Sequence, residues 1–317
     1  MEFFRDVNID WMSKKWLFLG FSLIVTVSGL LSIFFWHGIP LGIDFKGGTI
    51  VTVKFNGPVH ADEIRAAVEH AGIKDARIQS YDTPSKNEFI IALEQKAANE
   101  SALLAGRQAI VGALGESPLA GRFEILNVEV VGPQVGKQLR NQALWATLYS
   151  LAGMLVYLWF RFELIYGAAA VAAVLHDTLF TIGVFSLTNS ELSLTVIAAL
   201  LTLIGYSMND TIVVFDRIRE NLKMSRRESM YDLVNRSINQ TLSRTILTSG
   251  LTFLTVAALY FFGGEVLHGF SFALVIGILI GTYSSIAVAA PMLVGYQNWR
   301  AGKGGRQAES RRDKMRA

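Results

Sequence analysis

Leu203-Ile-Gly-Tyr-Ser-Met-Asn-Asp210-Thr-Ile-Val-Val-Phe-Asp216 is the stretch on which the reading of this chain turns. It closes an apolar run that begins near Leu192 and is long enough to cross a bilayer, which takes roughly 20 residues. Asp210 lies about five residues inside the charged end of that run, roughly 7–8 Å deep at 1.5 Å per residue. A charge so placed costs at least about 2.5 kcal/mol, and such residues face a bundle interior or a proton or ion path. Tyr206, Asp210 and Val213 or Val214 share one helix face, and Ser207 and Asn209 make this portion more polar.

Working outward, five more apolar segments qualify as spans, so that the six lie at about 16–36, 140–160, 164–187, 192–215, 245–263 and 267–295. The composition agrees: 51% of the 317 residues are hydrophobic and only 17% charged, too apolar for an ordinary soluble domain. The chain has no cysteine, which excludes disulfides and thiolate metal sites. The first apolar run, Trp16 to Trp36, is too long for a signal peptide's apolar core, and no small-residue cleavage site follows it. It reads as a retained span.

Lys and Arg in short loops set the expected orientation. Arg5, Lys14 and Lys15, then Arg161, then Arg217, Arg219, Lys223, Arg226, Arg227 and Arg236, then the tail after Trp299 all fall on one side. The short turns 188–191 and 263–268 carry none. Both termini are therefore expected to be cytoplasmic, and segment 37–138 to lie on the outer face. The domain plan is 1–36 (N-terminus and first span), 37–138 (outer domain), 139–299 (spans two to six, with a cytoplasmic loop 217–243) and 300–317 (a basic tail). Loop 217–243 is basic and partly amphipathic, and reads as a solvated loop or one lying on anionic lipid.

Segment 37–138 reads as a small α+β domain. Ile50 to Phe55 alternates as a strand, and Ala61 to Ala71 has helical periodicity with Ile64, Val68 and Ala71 on one face. Gly72 is a stop. Strands follow at 76–81 and 88–93 around a turn containing Pro84, then a helix from Ser101 to Leu114 and a strand at 123–131. The order βαββαβ is that of the ferredoxin-like split unit. Glycine-containing elements tether it at both ends, with Gly47 and Gly48 before it and Gly132, Pro133 and Gly136 after it; they read as turns or as hinges. No Walker or GxGxxG pattern occurs, which argues against direct ATP use.

Arg244 opens the fifth span, which runs back opposite to the fourth. It can lie at the depth of Asp210 if those helices pack. Burial and a neighbouring guanidinium act oppositely on a carboxyl, so a group balanced between them can exchange protons near neutral pH. Arg itself stays charged. Asp210 and Arg244 read as a proton relay or as a static buried pair, and Arg244 could also snorkel to the interface. His176 and Asp177 lie mid-span in the third segment; they extend a proton path or form a packing pair. No histidine grouping suggests a metal site. Gly277 and Gly281, followed by Ser284 and Ser285, and the alanine-rich 167–173 mark close helix contacts.

Several motifs resemble one family. They are Gly42-Ile-Asp-Phe-Lys-Gly-Gly-Thr49, Val131-Gly-Pro-Gln-Val-Gly136, Arg161-Phe-Glu163, His176-Asp177, Ile204-Gly-Tyr-Ser-Met-Asn-Asp-Thr-Ile-Val-Val-Phe-Asp-Arg-Ile-Arg-Glu-Asn221 and Gln240-Thr-Leu-Ser-Arg-Thr245. Over nearly its whole length the chain resembles the SecD/SecF family of bacterial protein-export membrane proteins, on its SecF side, within the RND transporter superfamily. The resemblance implies a non-enzymatic subunit of the bacterial inner membrane with no cofactor, drawing on the proton gradient. It implies a SecD-like partner, the SecYEG channel, unfolded preproteins, and contact with a YajC-like small subunit and a membrane insertase, with no nucleic acid. The family's relay aspartate and arginine fall on Asp210 and Arg244. Tyr206, Asn209, His176 and Asp177 are the auxiliary in-membrane polar candidates. Two alternatives stand beside it: a purely structural subunit, and a small-solute proton antiporter of the same superfamily.

Overall fold

The computed structural model describes residues 8–73, 76–80, 87–94, 100–162, 164–225 and 228–296. The Pro84 turn, Arg5, Glu163, Arg226, Arg227 and the basic tail 300–317 lie outside the described residues.

Among the described residues, six helices are long and apolar enough to cross a membrane: Lys15–Trp36, Pro133–Arg161, Ile165–Leu187, Leu194–Met224, Met230–Phe262 and Val266–Tyr296. In chain order the elements are α1 (Lys15–Leu31), a π-turn (Ser32–Trp36), α2 (Ile43–Lys46), β1 (Gly48–Phe55), α3 (Ala61–His70), β2 (Ala76–Ser80), β3 (Glu88–Glu94), α4 (Glu100–Gly115), β4 (Phe123–Val131), α5 (Pro133–Arg161), α6 (Leu164–Leu187), α7 (Leu194–Met224), α8 (Met230–Phe262), α9 (Gly264–Ser284) and a second π-turn (Ser285–Ala289).

Between α1 and α5 sits the expected small domain. Its sheet has the order β2-β3-β1-β4, with every neighbouring pair antiparallel. The alternation in β1 buries Val51, Val53 and Phe55 against Ile64 and Val68 of α3 and Ile110 and Leu114 of α4. Asp62 and Glu63 in the first turn of α3 complement its N-terminal dipole, and Gly72 (φ 84°) ends the helix in the left-handed region.

Two expectations about the bundle are corrected. Segment 217–243 is not a loop: α7 continues to Met224 and α8 begins at Met230. The helices persist beyond the apolar runs because each keeps a buried stripe there, Ile218 and Asn221 on one and Leu233, Val234, Ser237 and Ile238 on the other. Ser229 caps α8, its side chain accepting from the Asp232 N–H. Likewise Gly132-Pro133-Gln134-Val135-Gly136, read as a turn or a hinge, is the start of α5, with Gly132 at the N-cap and Pro133 at the first position, where its missing N–H costs nothing.

Small residues set the helix packing. A Cβ on Gly29 of α1 would lie 2.7 Å from the Gly183 Cα of α6, so only glycines allow that crossing. The Ser22–His176 and Ser32–Ser186 contacts have the same spacing of 154 residues, so α1 and α6 run parallel along one seam. Across the bundle, a Cβ on Gly277 of α9 would meet the Leu203 side chain of α7 at 2.6 Å, and one on Gly281 the Ser207 Cβ at 3.0 Å. That approach brings the serines of both helices to the same level. One apolar cluster, with Phe185, Val196 and Leu274, fills the end of the bundle near the sheet. Another, with Phe215, Ile238 and Leu293, fills the basic end. A polar layer lies between them.

Candidate in-membrane polar site

The polar layer is built from five helices around two carboxyl groups. Asp177 of α6 is fully buried. Its Oδ2 accepts the Ser207 hydroxyl of α7 at 2.5 Å and the Ser284 hydroxyl of α9 at 2.7 Å. Its Oδ1 lies 2.9 Å from His176 Nδ1, and His176 Nε2 meets the Ser22 hydroxyl of α1. With Nδ1 as the donor to the carboxyl, Nε2 accepts from Ser22 and both ring nitrogens are satisfied. Four helices thus meet on one carboxyl.

Asp210 of α7 is the second centre, 6% exposed. Thr245 Oγ1 of α8 donates to its Oδ1 at 2.7 Å, and Ser285 Oγ donates to its Oδ2 at 2.6 Å. Ser284 and Ser285 are consecutive, and neighbouring helical residues point about 100° apart. They therefore serve different carboxyls from the one helix that packs between α6, α7 and α8. Ser285 also opens the buried π-turn Ser285–Ala289. Such single-turn insertions recur at functional sites and re-aim side chains.

The candidates from sequence are only partly brought together. Asp210 and the α8 turn at Arg244 do lie at one depth, since Thr245 reaches the carboxyl. Arg244 itself is exposed on the outward side of α8 and forms no ion pair among the described residues. No contact pair joins Asp210 and Arg244 among the described residues: adjacent positions diverge by about 100°, and it is Thr245 that faces α7, while the Arg244 charge acts on Asp210 from a distance. Asn209 is likewise exposed, and Tyr206 packs into the other apolar cluster with its hydroxyl unpartnered among the described residues. His176 and Asp177 belong to the network. Ser22, Ser207, Thr245, Ser284 and Ser285 carry its geometry; the usable signal was small polar residues inside apolar spans, one turn from packing glycines.

Gly47, Gly48 and Gly136 serve close approach. Gly47 has φ 83°, and its Cβ would stand 2.8 Å from the Pro133 Cα; a Cβ on Gly136 would stand 3.0 Å from the Phe45 carbonyl carbon.

Comparison with known proteins gives consistent matches. The family described as "Protein export membrane protein SecD/SecF, C-terminal" matches residues 115–299, and "SecD/SecF GG Motif" matches residues 34–59. A protein translocase subunit SecF of Koribacter versatilis is 53% identical, covering 96% of this chain and 95% of that protein. Another of Calditerrivibrio nitroreducens is 46% identical, covering 91% of this chain and 94% of that one. The crystal structure of SecDF from Thermus thermophilus, described as a translocon-associated membrane protein, superposes with a TM-score of 0.80 at 38% identity, covering 92% of this chain. The present chain spans 39% of that SecDF chain's length.

Proposed function

The chain belongs to the SecD/SecF family of protein-export membrane proteins, on its SecF side, and from that premise we propose that it is a proton-driven auxiliary subunit of the Sec export machinery. With a SecD-like partner it helps pull unfolded preproteins outward through the SecYEG channel in the bacterial inner membrane. Both termini face the cytoplasm and the sheet domain faces outward. A YajC-like subunit and a membrane insertase are further neighbours. The subunit is not an enzyme and needs no cofactor; one proton crossing 100 mV supplies about 2.3 kcal/mol.

The observation that carries this reading is Asp210, a buried carboxyl held by two hydroxyls and, among the described residues, in no ion pair, with the Arg244 charge acting on it only from a distance. Neutral hydroxyls can rotate to serve a carboxylate or a protonated carboxyl alike. A fixed guanidinium contact would favour the charged form alone. Arg244, one residue from Thr245, is exposed on a face open to a partner, from which it can approach or leave as the proton comes and goes. Asp177 has a different part. Fully buried and tying its own helix to three others through Ser207, Ser284 and His176–Ser22, it holds the bundle together.

The test compares Asp210→Asn with Asp177→Asn in cells, reading release of a secreted protein and assembly with the SecD-like partner. Slow release at normal assembly is expected for Asp210→Asn, and reduced assembly for Asp177→Asn. Normal release from Asp210→Asn would refute the relay.

A further inference from the structure

The sheet domain meets the bundle in a knot around the Gly38–Gly48 segment. The Gly42 N–H donates to the Leu192 carbonyl at 2.8 Å, and the Leu192 N–H donates to the Pro40 carbonyl at 2.7 Å. The Ser186 hydroxyl donates to the Gly38 carbonyl at 2.8 Å. Arg77 of β2 lies 3.4 Å from Glu191. The four-residue α2 is wedged into this knot, with Ile43 and Phe45 buried, and with Gly47 and Gly136 making the close contacts to α5 described above. Lys46 at its end pairs with Glu94 of β3. Entry to the sheet and exit from it are thereby pinned together.

From α2 one side chain reaches the head of α7. Asp44 Oδ2 accepts the Leu194 N–H at 2.8 Å. Leu194 is the first residue of α7, and Ser193 caps the same turn by accepting from the Val196 N–H. The first-turn N–H groups of a helix have no partner inside it, and their end of the dipole favours a negative charge. The first turn of α7 has no acidic residue of its own. Asp44 supplies the missing anion from the sheet-domain side. α7 then runs unbroken to Asp210, 16 residues and about 24 Å further on.

We infer that Asp44 is a positioning residue that fastens the sheet domain to the head of the helix bearing Asp210, so that the domain and α7 move as one body. The inference rests on the proposed proton role of Asp210: it names the mechanical link through which a change at that carboxyl reaches the sheet domain. The Arg77–Glu191 pair is a weaker part of the knot. Both its side chains are partly exposed, and exposed pairs of this kind contribute little.

The chain has no cysteine, so the knot can be probed by pairs introduced alone. The full chain carrying R77C and E191C, assembled with its SecD-like partner in energised membrane vesicles, is treated with a short, reducible bifunctional thiol reagent. Crosslink formation and preprotein export are both measured, with and without Asp44→Ala or Asp44→Asn. Asp44→Ala is expected to slow both about fivefold, the size of a lost N-terminal acceptor, while Asp44→Asn, which keeps an acceptor oxygen, stays within about twofold. Once formed, the crosslink restores export to the Asp44→Ala protein, and reductant removes the rescue.

Unchanged crosslinking in Asp44→Ala would overturn the link whatever export does. So would a crosslink that stops export while Asp44 is intact, because the domain would then have to swing free of α7. Should Asp44→Ala lose assembly altogether, failure of the crosslink to restore it would also count against the link. A slowed and rescued Asp44→Ala beside an Asp210→Asn that exports normally would leave the link standing and refute the relay.

Discussion

Replacing Ser285 with alanine removes one of the two hydroxyls that hold Asp210. The contact is short, 2.6 Å, and the carboxyl it serves is only 6% exposed, so water cannot readily take the hydroxyl's place. A hydrogen bond to a charged group contributes about 1.5–3 kcal/mol in soluble proteins. Interhelical polar contacts within bilayers average about 0.6 kcal/mol and reach about 1.7. A buried carboxyl between helices belongs at the upper end of the second range, about 1.5 kcal/mol, or close to tenfold in an equilibrium constant. The assay is a double-mutant cycle of Ser285→Ala and Asp210→Ala by reversible unfolding in bicelles. The expected coupling is about 1.5 kcal/mol. Thr245→Val with Asp210→Ala should give a similar value, since Thr245 lies at 2.7 Å on the other oxygen. Arg244→Ala with Asp210→Ala should couple more weakly in the isolated chain. Additivity of Ser285 and Asp210 within about 0.3–0.5 kcal/mol would refute the hydroxyl-held carboxyl.

Two further outcomes are expected. Gly183→Val forces α1 and α6 apart, because its Cβ would lie 2.9 Å from the Gly29 Cα; a cost of about 1–3 kcal/mol should lower the unfolding midpoint, whereas Gly153→Val, with nothing within 4 Å, should not. At the N-terminus, the backbone N–H of Ser13 and the Tyr231 hydroxyl hold the Asp10 carboxyl below its ordinary 3.8. A depressed carboxyl stabilises above its unfolded value and loses that contribution as pH falls through the folded one. Docking of segment 8–14 on α8, read as the fluorescence difference between the chain and Trp11→Phe, should therefore hold from pH 8 to about pH 4 and weaken only below 3.8; loosening near pH 6 would contradict it.

How far the site was legible from sequence can be judged residue by residue. Asp210 stood out because a carboxyl inside an apolar run has few bland explanations. His176 and Asp177 stood out for the same reason and do share one network. Arg244 was placed at the right depth but not in contact with the carboxyl, because depth follows from counting residues along a helix while direction depends on its rotation. One position decides between Arg244 and Thr245 as the group facing α7. Ser207 was visible only as local polarity beside Asp210, Ser284 and Ser285 only as small residues that let helices approach, and Ser22 carried no signal at all. A hydroxyl acquires a role once a carboxyl is brought within reach, and that meeting is a tertiary event.

Periodicity and length alone determined the six spans and the αβ elements of the inserted domain. Burial of an apolar run or stripe is a local requirement that neighbouring residues must satisfy together. The ends of α5, α7 and α8 were another matter. Their polar turns are helical because buried residues such as Ile218 and Val234 find neighbours there, and a chain read by its apolar runs stops short of them. Only the packed structure decided which hydroxyl meets which carboxyl, that Asp44 reaches the head of α7, and that Gly29 and Gly183 touch. Each depends on the rotation and register of two elements distant in sequence. No local preference encodes that relation; it is set by which side chains fit between the helices once they are together.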